Sequence, residues 1–141
     1  MAKILALDFG LKRIGVAVAD ADLRMAFPQE PIPFMEMDQA VRETTALIAT
    51  NGITEVIVGL PVTMSGGDTG QTAVTQEFID ALEKTCGIPV GAVDERLTTK
   101  ISQEKMRLQG LSEKERRLLK DSVSAAIMLE EWLDMRNPST K

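Results

Sequence analysis

Two rhythms divide the chain. Short apolar runs, each closed by glycine, proline or an acid, mark strands of a buried α/β sheet. Between them lie longer stretches with apolar residues at helical spacing. The first thirty residues read as a meander of Lys3–Asp8, Arg13–Ala19 and Met25–Phe27, with turns at Gly10 and Asp20–Asp22. Strands this close in sequence pair antiparallel. Pro28, Pro31 and Pro33 keep the next segment extended and are expected to end the meander. A helix is expected from an Asp38 N-cap to Asn51-Gly52, with Val41, Ala46, Leu47 and Ile48 apolar. The strand Glu55–Gly59 follows, closed by Leu60-Pro61 and a flexible stretch over Ser65–Gly70. Phe78, Ile79 and Leu82 mark a helix from Gly70 to Thr85, which leads to a short strand over Pro89–Val93. The remainder reads as a helix over Thr98–Gln109, a break at Gly110-Leu111, a capping box from Ser112 to Glu115, and a last helix from Lys120 to Met135.

The order βββ-α-β-α-β-α(α) gives an α/β fold with a mixed five-stranded sheet, an antiparallel meander plus parallel strands, flanked by helices. Residues 1–136 are expected to form a single domain and 137–141 a frayed tail. At 141 residues such a domain buries enough surface to need no disulfide. The single Cys86, just past a helix, reads as structural. No basic segment leads an apolar stretch with a cleavage site, and no apolar run is long enough for a membrane helix, so neither export nor insertion is expected and the cytoplasm is the expected compartment.

Composition narrows the chemistry. The chain has no histidine and no tyrosine, which removes Ser-His-Asp triads, Cys-His pairs and histidine metal sites and leaves carboxylates, lysine or a bound metal. The net charge of −5 argues against a polyanionic partner until its distribution is considered. Between Arg96 and Lys120 stand eight basic residues (Arg96, Lys100, Lys105, Arg107, Lys114, Arg116, Arg117, Lys120) against three acids, so this stretch is positive in an otherwise acidic chain. The stripe reads as a phosphate-binding face or, more blandly, as a solvated helix surface.

Three acids stand out. Asp8 ends the run Ile4–Leu7 at a strand end, where a side chain is expected to be presented rather than buried. Glu95 lies at the carboxyl end of the strand over 89–93, and Asp121 opens a helical run of mostly small residues suited to lying close on a sheet. Taken singly they read as a turn residue, a surface acid paired with Arg96 and a helix N-cap. Taken together they read as a site, and two negative charges about 4 Å apart repel by roughly 4 kcal/mol at an effective dielectric of 20, so a cation is needed between them. Hard oxygen ligands without imidazole or thiolate point to Mg²⁺ or Mn²⁺, and a two-metal arrangement suits phosphodiester hydrolysis. Asp94 is assigned a local structural bond, since strand alternation points it away from Glu95.

Four motifs in order carry a resemblance over nearly the whole chain. They are Leu7-Asp8-Phe9-Gly10 with Lys12-Arg13-Ile14-Gly15-Val16-Ala17, then Val58-Gly59-Leu60-Pro61, then Asp94-Glu95-Arg96-Leu97-Thr98-Thr99, and Lys120-Asp121-Ser122-Val123-Ser124-Ala125-Ala126. Together they resemble the bacterial YqgF (RuvX) family. The resemblance implies an RNase H-like nuclease fold related to RuvC-type Holliday junction resolvases and a role in maturing the 5′ end of 16S ribosomal RNA, with branched DNA as the alternative substrate. It also implies that Asp8, Glu95 and Asp121 form the catalytic triad that binds divalent metal. Lys12, Arg13, Arg96, Lys100, Arg107, Arg116, Arg117 and Lys120 are the expected nucleic-acid contacts, with Arg96 equally suited to pairing with an acid. Gly10 is expected to free the backbone beside the acids, and Gly59-Leu60-Pro61 to end a central strand so that the next loop covers the cleft. A non-catalytic RNA-binding assembly factor would use the basic stripe alone. An actin-like nucleotide-binding domain would share the Asp-x-Gly opening, but such proteins place Ser or Thr soon after the glycine, where this chain has Leu11-Lys12, and they need two domains.

Overall fold

In a computed structural model, residues 2–10, 12–22, 25–60, 70–94 and 109–136 are described. Five strands, β1 (Lys3–Phe9), β2 (Arg13–Asp20), β3 (Met25–Pro33), β4 (Glu55–Leu60) and β5 (Val90–Asp94), form one sheet in the order β3-β2-β1-β4-β5. β1–β2 and β2–β3 pair antiparallel, while β4 lies parallel to both β1 and β5. The carboxyl ends of β1, β4 and β5 therefore share one rim. The helices are α1 (Met37–Asn51), α2 (Gly70–Cys86) and α3 (Glu113–Arg136).

Strand alternation sorts the core into two unlike layers. Leu5, Leu7, Val16, Val56 and Val58 face α1 and α2, where they meet Val41, Ile48, Phe78, Ile79 and Leu82. On the other face Ile4, Ala6, Ala17, Ala19, Ala26 and Ile57 meet Ala125, Ala126, Met128, Leu129 and Leu133 of α3. The first layer is bulky. The second is made largely of alanine on the sheet side, so α3 lies close to the strands. Cys86 ends α2 half-buried against the first layer, with Sγ 3.6 Å from the Ile88 carbonyl.

Several boundaries depart from the sequence expectation. β3 continues through all three prolines to Pro33. It is the outermost strand, where a missing N–H need not break a ladder on both sides, and a bulge opposite Gly15 absorbs the irregularity. Helix α1 starts one residue before Asp38, with Glu36 as its N-cap, and the Gln39 side chain accepts from the Glu36 and Met35 N–H groups. Ala46, expected on the apolar side of α1, is exposed. Gly52 ends that helix as expected, at φ 64°. β4 ends at Leu60, within the Gly59-Leu60-Pro61 segment expected to close it, so Gly59 is not the final strand residue. It lies inside the ladder, paired with Asp8 and with Val93.

The largest departure is at the carboxyl end. The capping box and the last helix are one continuous helix, because the run from Arg116 to Lys120 contains only good helix formers. Asp121 accordingly stands eight residues inside α3, about two turns from its start, and is no N-cap. The capping box itself is present. Glu115 N–H donates to Ser112 Oγ at 3.1 Å, and Ser112 N–H donates to Glu115 Oε1 at 3.0 Å. The expected helix over 98–109, the flexible stretch over 65–70 and the tail over 137–141 lie outside the described residues, apart from Gly70, which opens α2, and Gln109, which forms a turn with Gly110.

The Ser112 backbone N–H, and then its hydroxyl, hold the Glu115 carboxyl below its ordinary pKa. A lowered folded-state pKa contributes stability above the unfolded-state pKa, and that contribution is lost as pH falls through the folded value. Ser112→Ala should cost about 1 kcal/mol in a urea melt at neutral pH. It should also move the Glu115 pKa partway back up in an NMR titration, since the backbone donor remains. An unchanged titration would show that the hydroxyl plays no part.

Candidate active site

Asp8 continues the series Ile4, Ala6 on the α3 face of β1, one residue before the strand ends. It is 5% exposed and so is buried at the rim, not presented on it as expected. Its partners in register are Gly15 on β2 and Gly59 on β4. Neither neighbour has a side chain, so the carboxylate lies in a gap opened by two glycines. Burying a carboxylate in an apolar layer is costly unless its charge is compensated.

Asp121 reaches the same rim from α3. A Cβ at Gly15 would overlap the Asp121 carbonyl and lie 2.6 Å from the Ser122 nitrogen. The helix backbone therefore rests directly on β2 at the residue paired with Asp8. Facing positions in an antiparallel pair are about 5 Å apart at the Cβ level, so the Asp121 backbone sits one strand over from Asp8. Ser122 Oγ, buried, accepts the Val16 N–H at 3.0 Å, beside the β2–β3 bulge. A Cβ at Gly10 would lie 2.5 Å from Asp121 Oδ2 and 2.8 Å from its Cγ, so the carboxylate extends over Gly10. Gly10 serves close approach; positive φ among the described glycines occurs only at Gly52, Gly87 and Gly110.

Hydrogen bonds hold the surrounding backbone. Gly10 N–H donates to the Arg13 carbonyl at 2.8 Å and closes the β1–β2 turn. The Arg13 guanidinium donates to the Arg117 carbonyl at 3.0 Å, one turn before Asp121. Gln71, in the first turn of α2, donates its amide to the carbonyls of Phe9 at 3.0 Å and Gly10 at 3.2 Å. The strand end that carries Asp8 is thus fastened from both sides of the sheet.

Above this rim opens a cleft of about 380 Å³, with Lys12, Arg13, Arg117 and Lys120 on its walls and Asp121 among them. Larger hollows, of about 450 and 500 Å³, are bordered by Glu77 and Asp80 or by Glu30 and Glu43 and have no basic residue, so they do not suit an anion. Arg117 also pairs with Glu113 at 3.4 Å, but both side chains are some four-fifths exposed (78% and 85%), and such a pair is weak enough to exchange for another anion. Arg116 is exposed on α3 and does not line the cleft.

Of the residues expected from sequence, the structure brings Asp8, Gly10, Lys12, Arg13, Arg117, Lys120 and Asp121 together and keeps Gly59 beside Asp8. Glu95, Arg96, Lys100, Arg107 and Pro61 lie outside the described residues. β5 ends at Asp94, paired with Leu60 at the same rim, one residue before Glu95. Among the described residues no group of three or more His, Cys, Asp or Glu forms a metal cluster. Sequence reasoning missed the parts played by Gly15, Ser122 and Gln71. A glycine inside the strand run Ile14–Ala19 signals a close backbone approach, so Gly15 was discoverable. Nothing in the sequence around Gln71 marks it.

Residues 2–135 match the family described as "RuvX: Holliday junction resolvase". The chain belongs to the RuvX family. A relative from Chloroflexus aggregans named "Putative pre-16S rRNA nuclease" is 40% identical over 136 residues, covering 96% of each chain. One of the same name from Maridesulfovibrio salexigens is 34% identical over 131 residues, covering 93% of this chain and 97% of the relative. The structure of Thermus thermophilus RuvC in complex with a Holliday junction substrate superposes with a TM-score of 0.59 at 15% identity, covering 98% of this chain and 97% of RuvC. A second T. thermophilus RuvC structure gives 0.58 at 14% identity, covering 95% of each chain. This RuvX-family protein therefore has the RNase H-like fold of RuvC, and its family membership makes it a hydrolase of phosphodiester bonds. No helix among its described residues is long and apolar enough to cross a membrane.

In this RuvX-family fold Gly15 should tolerate a methyl group poorly, since its Cβ would overlap the Asp121 carbonyl. Gly15→Ala forces α3 off β2 and should cost at least about 1–3 kcal/mol. Gly91→Ala, whose Cβ would meet nothing within 4 Å, should be neutral or stabilising by up to about 1 kcal/mol. Urea unfolding of the two variants checks the contrast, and equal midpoints would contradict the close approach.

Proposed function

We propose that this RuvX-family hydrolase cleaves nucleic acid with divalent metal held by Asp8, Glu95 and Asp121, and that its physiological reaction is maturation of the 5′ end of 16S ribosomal RNA. The observation that carries the reading is the meeting of Asp8 and Asp121 at one rim of the sheet, cleared of side chains by Gly10, Gly15 and Gly59 and overhung by a basic cleft. The donor set fits Mg²⁺ or Mn²⁺, which bind through one or two carboxylates and fill the remaining positions with water and phosphate oxygens. The Asp121 carboxylate itself takes up the space that a Cβ at Gly10 would fill, with Oδ2 2.5 Å from that position, so an oxygen ligand stands at the rim beside the basic cleft. Glu95, which follows β5 in sequence, is the third carboxylate of the reading.

When bound, the metal supplies an activated water and neutralises charge on the leaving oxygen. The protein's own residues set the geometry. Asp8 is fixed by the β1 ladder and Asp121 by the seat of α3 on Gly15, so the two charges are held before substrate arrives. Lys12, Arg117 and Lys120 attract the phosphates. Arg13 spends its guanidinium on the Arg117 carbonyl and so steadies the cleft wall as much as it adds charge. With no histidine in the chain, carboxylates, lysine and water are left to move protons. Residues 1–136 act in this reading as one nuclease domain, in the cytoplasm, with 137–141 as a tail. Branched DNA is the second substrate to test, because the family description names a Holliday junction resolvase.

Asp8→Asn, Glu95→Gln and Asp121→Asn should each lower metal-dependent cleavage by on the order of 10²-fold or more while the fold persists. Precursor 16S RNA and a four-way DNA junction, each incubated with Mn²⁺ or with EDTA and mapped for cut ends, provide the assay. Mn²⁺ should also raise the melting temperature of the wild type and leave that of Asp8→Asn nearly unchanged. Wild-type-like cleavage by any two of the three variants would overturn the triad.

Arg117→Glu combined with Lys120→Glu should weaken nucleic-acid binding and reduce the log–log salt slope by about 0.7–0.9 for each phosphate left without a cationic partner. Arg116→Glu, outside the cleft, should change the slope much less. Binding titrations between about 50 and 200 mM salt, the range over which phosphate neutralisation makes itself felt, distinguish the cleft from a solvated helix face.

A further inference from the structure

Beside the basic cleft lies a smaller hollow of about 160 Å³, which shares Phe9, Gly10 and Gln71 with it and is completed by Phe34 and Val74. Its wall ends a row of rings that starts in the core. Phe78 packs edge-to-face on Phe9 with centroids 4.8 Å apart, and Phe9 on Phe34 at 5.6 Å. Phe34 is the half-buried end of the row. It is held in place because its N–H donates to the Lys12 carbonyl at 3.0 Å, in the turn that also carries the Lys12 side chain to the cleft. Among the described residues that border it, Gln71 has the one polar side chain, its Nε2 used on the Phe9 and Gly10 carbonyls and its Oε1 an acceptor.

Size and continuity together limit the occupant. The hollow is smaller than the roughly 300–1,000 Å³ of pockets that enclose a whole small ligand, so it suits a fragment. A fragment attached to something anionic follows from the four cations next door. The fragment is flat and apolar on its faces with polar edges, to match an aromatic wall and one amide oxygen. We infer that this hollow receives one nucleobase, unstacked from the strand whose phosphates occupy the cleft, with its face against Phe34 and an edge donor toward Gln71. The inference rests on the nucleic-acid reading above and adds a base-binding subsite to it. Recognition of single-stranded bases by stacking on aromatic side chains is the usual way a protein binds unpaired RNA.

The test is an NMR titration of ¹⁵N-labelled protein at low salt in EDTA. The probes are a short single-stranded RNA and a fully abasic sugar-phosphate chain of the same length. RNA should shift the amides of Phe34 and Val74 together with those of Lys12 and Lys120, whereas the abasic chain should shift only the cleft residues, Gln71 among them, and bind about tenfold more weakly. Phe34→Leu, which keeps apolar bulk and removes the π face, should weaken RNA binding by about the same tenfold and leave the abasic chain unaffected; its amide spectrum reports whether it is folded. If RNA shifts Lys12 and Lys120 but not Phe34 and Val74, or if Phe34→Leu binds RNA like the wild type, the base subsite is overturned and the cleft reading stands. If neither chain shifts either set, both fall.

Discussion

The contact of α3 with β2 at Gly15, backbone against backbone, is the constraint on which the rest of the structure depends. Helices normally rest on sheets through a layer of side chains. Here Gly15 removes that layer at one point, and alanines at Ala6, Ala17, Ala19 and Ala26 thin it elsewhere. The helix is then fastened along its length. Ser122 accepts from Val16 more than two turns in, Glu130 Oε2 accepts the Ala26 N–H at 3.1 Å further on, and Arg136 pairs with Glu55 at 2.6 Å while stacking over Trp132 at 4.8 Å. A helix seated this closely has little freedom to slide or rotate. The Asp121 carboxylate inherits that fixity, and with it the position over Gly10.

The two faces of the sheet divide the work. Phe78, Leu82, Leu5 and Leu7 fill the α1–α2 side with large side chains, the burial of each contributing about 1.5–3 kcal/mol. The α3 side uses small residues, which bury less area per residue but bring backbones together. The proposed site sits at the edge of this second layer. Gln71 links the two, since it belongs to α2 yet holds the carbonyls of Phe9 and Gly10 at the rim. Stability from one face therefore supports geometry on the other.

Much of this was legible in the sequence because period-two alternation and apolar runs report burial directly. The five strands, the order of the described elements and the small-residue face of the last helix all follow from that signal. Boundaries were less legible where tertiary context decides. Pro28, Pro31 and Pro33 are poor strand residues in general, and only the position of β3 at the sheet edge makes them tolerable. Asp121 read as a helix start because acids favour N-caps, yet the capping box at Ser112 had already begun the helix. Asp8 read as a presented strand-end acid because residue spacing says nothing about the helix that comes to cover it. Gln71 acts across 61 and 62 residues of chain on two backbone carbonyls, and no local pattern encodes such a bond.

The edge strand β3 has a consequence for how this molecule meets others. An open sheet edge ordinarily offers a row of free N–H and C=O groups that another strand can join. Along β3 the prolines at 28, 31 and 33 remove three donors, the bulge bends the line, and Gln29 and Glu30 stand exposed between them. That edge is a poor template for an added strand. At high concentration this side of the protein should resist extending its sheet from one copy to the next, and any copy or partner that docks there must do so through side chains.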